Sequence, residues 1–87
     1  MKGAVWMQVR YDLEADAIFV VLRPPTGGEA GGRRLDETRI SHLDRAGRVF
    51  AYEFLAVSQG VSLEGIGADD LALISETLQP VKAIAVA

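Results

Sequence analysis

The chain has 87 residues, 49% of them hydrophobic and 24% charged, with a formal net charge of −3. That length supports one domain with a modest core, and the acidic balance argues against a general nucleic-acid binder, which needs a basic surface to neutralise phosphates. Cysteine is absent, which excludes a disulfide framework, a thiol nucleophile and a cysteine metal site.

The apolar run before Gln8 is too short for a signal-peptide core. No stretch approaches the roughly 20 apolar residues of a membrane span, so a cytoplasmic protein without membrane contact is expected. The charge is uneven. Residues 33–48 carry a local excess of arginine, and residues 49–87 carry Glu53, Glu64, Asp69, Asp70 and Glu76 against Lys82 alone. Such asymmetry can orient a partner, although scattered solvated charge is its ordinary meaning.

Alternation organises the first element. Over residues 4–11, Val5, Met7, Val9 and Tyr11 share one face, expected to be the core face, and Trp6, Gln8 and Arg10 share the other. Residues 12–16 hold three acids and no strand pattern, and Asp12 is placed to accept a backbone N–H in that connection. Residues 17–23 are apolar on both faces, the mark of a strand covered on both sides. Pro24-Pro25-Thr26-Gly27-Gly28-Glu29-Ala30-Gly31-Gly32 reads as a flexible loop.

Residues 33–43 read as one polar strand, with a bulge between Leu35 and Ile40 to reconcile its apolar phase. Asp44-Arg45-Ala46-Gly47 is a hairpin turn. Residues 48–55 form the next strand, with Phe50, Tyr52 and Phe54 expected on one face. The connector 56–67 has room for one short helical turn. A helix over about 69–79 follows, with acids in its first turn and Leu71, Ile74 and Leu78 as its apolar stripe. Pro80 ends it, and the tail 80–87 is β-permissive, suited to an edge strand or an arm across a partner. The fold class is therefore α+β: one domain over 1–87, an antiparallel sheet of four or more strands at about 4–55, and one C-terminal helix packed on it.

The run Arg10-Tyr11-Asp12-Leu13-Glu14-Ala15-Asp16-Ala17-Ile18-Phe19-Val20-Val21-Leu22 resembles the opening signature of an uncharacterised bacterial family, domain of unknown function 2283. Members read Tyr-Asp, a short spacer, Ala-Asp, then an apolar strand ending in Leu. The turn Asp44–Gly47 and the run Val49–Ser58 are similar to that family's second half, so the resemblance covers about residues 8–60. Leu13 stands where the family often has proline, the glycine-rich loop is longer, and Leu63–Ala87 extends beyond the common core. The resemblance implies a small antiparallel sheet with helical additions and no assigned catalytic residues. It also hints at an antitoxin-like protein partner.

Several residues invite a chemical reading. Asp12, Glu14 and Asp16 could offer oxygen ligands to a hard cation, but Ala17 and Arg23 stand where a calcium loop needs glycine and glutamate. A wet turn with acids capping amides is the plainer reading. His42 is the one histidine, and its sequence neighbour Ser41 should point to the opposite strand face, which argues against a shared catalytic site. Arg33 and Arg34 could clamp an anion; the glycines beside them lack the Gly-Lys-Ser/Thr context of a phosphate loop. Trp6, Phe19, Val21, Phe50 and Phe54 are candidates for an interface, because the sheet carries more apolar surface than one short helix can cover. The expectation is a non-enzymatic homodimer without a cofactor, with another protein as a further candidate partner. A metal- or ligand-binding protein or enzyme built on the acidic turn is the alternative.

Overall fold

In the computed structural model the described residues are 7–78. Trp6, residues 4–6 of the first strand, Pro80 and the tail lie outside them. Five strands form: β1 (Gln8–Asp12), β2 (Ala17–Val21), β3 (Glu29–Asp36), β4 (Arg39–Asp44) and β5 (Val49–Phe54). A single 3-10 turn (Val57–Gln59) and the helix α1 (Ala68–Leu78) follow. The sheet is antiparallel throughout, in the order β1-β2-β5-β4-β3.

The central pair, β2 and β5, is the pair rich in apolar residues. Ile18, Val20 and Leu22 join Tyr52 and Phe54 on one face, where Val57, Val61, Leu63, Ile66 and Ile74 close over them. Burial of these side chains is the main driving force for the fold. Val21, Phe50 and Ala51 form a smaller cluster on the opposite face, with Phe19 packed against it. Both faces of β2 are thus used, as a strand without polar alternation requires.

Four sequence expectations change. Val9 and Tyr11 do face the helix side, opposite Val20 and Ile18, but they are 42% and 47% exposed rather than core. Among the described residues the sheet ends at β1, and the covering layer sits over β2 and β5. The polar strand of 33–43 is a hairpin: Asp36 pairs with Arg39, and Glu37-Thr38 turn between them. Asp36 drives that turn, since its carboxylate accepts the Thr38 N–H at 3.0 Å and the Arg39 Nε–H at 2.9 Å. The Arg39 guanidinium holds the Asp36 carboxyl below its usual range. The glycine-rich loop gives up its second half to β3, where Gly31 and Gly32 pair with Leu43 and His42.

The last change concerns the aromatics. His42 pairs with Ala51 and Leu43 with Val49, so Phe50 is an extra residue without a β4 partner. This bulge rotates Phe50 onto the face of Ala51, away from Tyr52 and Phe54.

Buried polar groups fasten the periphery. Arg39, 8% exposed, donates to the carbonyls of Ser62 and Glu64 and so ties the β3–β4 hairpin to the connector. Arg23 bridges the Val49 carbonyl and Asp70 in the first turn of α1. The Asp44 carboxylate accepts N–H bonds from Thr26, Ala46 and Arg48 at 2.9–3.0 Å. Gly47 completes that turn at φ 83°, a conformation glycine adopts without penalty.

Two outcomes are expected. Ile74 is fully buried in the main cluster, so Ile74→Ala should cost about 2–5 kcal/mol, whereas Leu73→Ala on the exposed side of α1 should change the melting temperature little. Calorimetry of both variants checks this. The second concerns acid. The backbone N–H of Arg48, foremost, holds the Asp44 carboxyl below 3.8. Its stabilisation is therefore complete above that pH and is lost as pH falls through the folded value. Asp44→Asn should be most destabilised relative to the parent at neutral pH, and melts across pH should show the gap closing below 3.8.

Candidate functional site

The face of the sheet opposite α1 is organised by register. Arg10, Phe19, Glu53, Ile40 and Arg34 stand directly opposite one another across all five strands. Gln8, Val21, Ala51, His42 and Gly32 form the adjacent row. Charged and apolar groups therefore alternate across the strands, with positive groups at both edges and Glu53 at the centre. Among the described residues, no helix lies on this face.

His42 sits within it. Its Nδ1 is 2.8 Å from Glu29 Oε2 and its Nε2 is 3.2 Å from Glu53 Oε1. The ring lies 4.9 Å from Phe19 and 6.4 Å from Phe50, centroid to centroid. A neutral imidazole donates from one nitrogen only. Both carboxylates receive a hydrogen bond from the ring only when it carries two protons. A Cβ at Gly32 would lie 3.3 Å from Ile40, a tight contact, and 3.7 Å from the His42 ring, an ordinary one. The two ring nitrogens point in opposite directions, so the three side chains do not converge on one ion. Among the described residues no cluster suited to a metal forms.

Sequence reasoning set Ser41 apart from His42, and the structure agrees. Ser41 is buried on the helix face, and its hydroxyl donates to the Arg33 carbonyl at 3.2 Å. Glu29 and Glu53 were not singled out as histidine partners. Glu29 was read as part of a loop, and Glu53 reaches His42 diagonally through a register that only pairing reveals.

The acidic turn does structural work. Asp12 Oδ1 accepts the Ala15 N–H at 3.0 Å. Asp16, at φ 53°, turns its carboxylate away from Asp12 to accept the Ser58 N–H at 3.0 Å and the Ser58 hydroxyl at 2.6 Å. Its carbonyl accepts the Val57 N–H. Glu14 is exposed. The three acids thus do not share a centre. Arg33 and Arg34, as neighbours on a strand, face opposite sides of the sheet, and Arg34 donates to the carbonyls of Asp36 and Glu37 at its own hairpin turn. They do not form a clamp. Phe54 lies in the core of the single chain at 1% exposure, while Val21 and Phe50 fill the smaller cluster.

Among the described interface candidates Phe19 is the one left partly exposed, and it floors a groove of about 670 Å³. Arg10, Tyr11, Asp12 and Leu13 form the wall along β1 and its turn; Ala15, Ala17, Phe19, Glu53 and Leu55 form the rest. The Arg10 guanidinium lies 5.5 Å from the centre of the Phe19 ring, a cation–π contact. Three of the five large apolar side chains exposed among the described residues, Val9, Tyr11 and Leu13, gather at this edge. No family model, curated protein or solved structure matches the chain.

The Asp16 clamp carries a prediction. Asp16→Ala should cost about 1–3 kcal/mol through the lost charge-assisted bonds to Ser58, and millimolar Ca²⁺ or Mg²⁺ should leave the parent melting temperature unchanged. A thermal-shift series with and without the cations measures both.

Proposed function

We propose that the protein is a non-enzymatic binding module that works as a homodimer, and that the β1 edge with the groove behind it is the surface through which it associates. The observation that carries this reading is the gathering of Val9, Tyr11 and Leu13 at 42%, 47% and 83% exposure beside an apolar-floored groove. A domain this small has little core to spare, and apolar area left at one edge is stabilising only when another surface covers it.

The chemistry of the groove supports association over catalysis. Its charged groups are Arg10, Asp12 and Glu53. Asp12 is engaged by its own turn, Arg10 by Phe19 and Glu53 by His42, so these groups position one another. The likeness of residues 8–60 to domain of unknown function 2283 belongs to this proposal and adds no catalytic residue to it. Sedimentation of the full chain at micromolar concentration should give a dimer. A monomer at those concentrations overturns the reading.

A further inference from the structure

The two edges of the sheet are unequally protected. β3 carries register shifts between Glu29 and Gly31 and between Arg34 and Asp36, together with two glycines and two arginines. Irregularity and charge of this kind keep an edge from accepting another strand. β1 is regular: its pairing with β2 runs without a shift from Gln8 to Asp12, it holds no proline or glycine, and its two charges, Arg10 and Asp12, are of opposite sign.

The hydrogen-bond phase of β1 shows which of its groups are free. The Leu22 N–H donates to the Phe50 carbonyl at 2.8 Å, so Leu22, Val20 and Ile18 direct their backbone groups toward β5. By the alternation of an antiparallel ladder, Val21, Phe19 and Ala17 direct theirs toward β1, where Gln8, Arg10 and Asp12 meet them. Val9 and Tyr11 therefore turn their N–H and C=O groups outward, away from the sheet.

The geometry points to a specific occupant of that edge: β1 of a second copy, antiparallel, with Tyr11 opposite Tyr11 on the two-fold axis. This inference rests on the homodimer reading and specifies its contact. Outward groups must meet outward groups, which leaves registers centred on Val9, Arg10 or Tyr11. Centring on Arg10 sets two arginines against each other. Centring on Val9 sets Arg10 opposite Gln8 and leaves its charge unmatched. Centring on Tyr11 places Arg10 opposite Asp12 of the second copy twice over. It alone makes opposite charges meet.

The pairing also completes the groove. Arg10, Tyr11, Asp12 and Leu13, its outer wall in one chain, become the midline of a trough floored by Phe19 from both copies. Isologous contact of this kind closes at two subunits. The short edge covers less than the roughly 1,600 Å² of a standard interface, so the dimer is expected to dissociate on dilution below micromolar concentration.

The test uses full-length chains and sedimentation. Tyr11→Pro removes an outward N–H that the β1–β2 ladder does not use, a change edge strands tolerate; it should give a folded monomer, with folding followed by circular dichroism. Arg10→Asp and Asp12→Arg should each dissociate at least about tenfold more readily than the parent, and an equimolar mixture of the two should recover the dimer, because opposite charges then meet at both contacts. Should the proline variant misfold, Tyr11→Cys answers instead. The parent has no cysteine, and opposed residues of a hydrogen-bonded pair lie about 5.5 Å apart at Cα, within disulfide range, so mild oxidation should yield a covalent dimer that Leu73→Cys does not. A dimer that survives Tyr11→Pro, fails to form from the charge-swapped mixture, or resists cross-linking through Tyr11→Cys overturns the β1 edge as the associating surface and leaves only homodimerisation itself standing. A monomeric parent overturns both.

Discussion

The pairing of β2 with β5 is the constraint on which the rest of this molecule depends. The two strands are far apart in sequence, yet Ile18 lies opposite Phe54 and Val20 opposite Tyr52, and these four side chains form the floor of the main core. Everything else is placed by reference to them. The first hairpin hangs β1 on the outer side of β2, the β3–β4 hairpin hangs on β5, and the connector with α1 folds over the shared apolar face. Long-range pairing of this kind must overcome the entropy of closing the intervening chain, and here the most apolar strands of the protein meet to do it.

Short carboxylates hold the turns around that centre. Asp12, Asp16, Asp36 and Asp44 each accept at least one backbone N–H, and each sits at the end of a strand or in the turn beside it. Asp16 and Asp44 reach beyond their own turns. Asp16 locks the first hairpin to the 3-10 turn, and Asp44 locks the loop after β2 to the β4–β5 turn. An acidic composition that could suggest a cation site is thus largely spent on backbone amides, because an ionised carboxylate accepts several strong hydrogen bonds at once.

The two faces and two edges of the sheet differ in what they leave unfinished. The helix face is closed over β2 and β5, while Val9 and Tyr11 of β1 stay exposed on it. The opposite face is ordered by a His42–Glu29–Glu53 contact and by alternating charged and apolar positions. The β3 edge is irregular and charged, while the β1 edge is regular, with apolar side chains beside a groove. The function we propose follows from that contrast, since association is favoured where backbone groups and apolar surface are both left without partners.

Much of this was legible in the residues. The α+β class, the turn at Asp44–Gly47, the capping role of Asp12, the doubly apolar β2 and the amphipathic helix through Leu71 and Ile74 all depend on local periodicity or on side chains that reach only their neighbours. What escaped depends on pairing. The hairpin at Glu37-Thr38 was hidden because Asp36, rather than a glycine, makes the turn. The glycine-rich segment looked like a loop because nothing local shows that His42 and Leu43 are waiting to pair with Gly32 and Gly31. The bulge that moves Phe50 to the other face is invisible without its partner strand. Sequence alone determined which elements form and which residues are apolar enough to be buried; tertiary structure decided which face and edge each one occupies, because register is a property of two strands and cannot be read from either one.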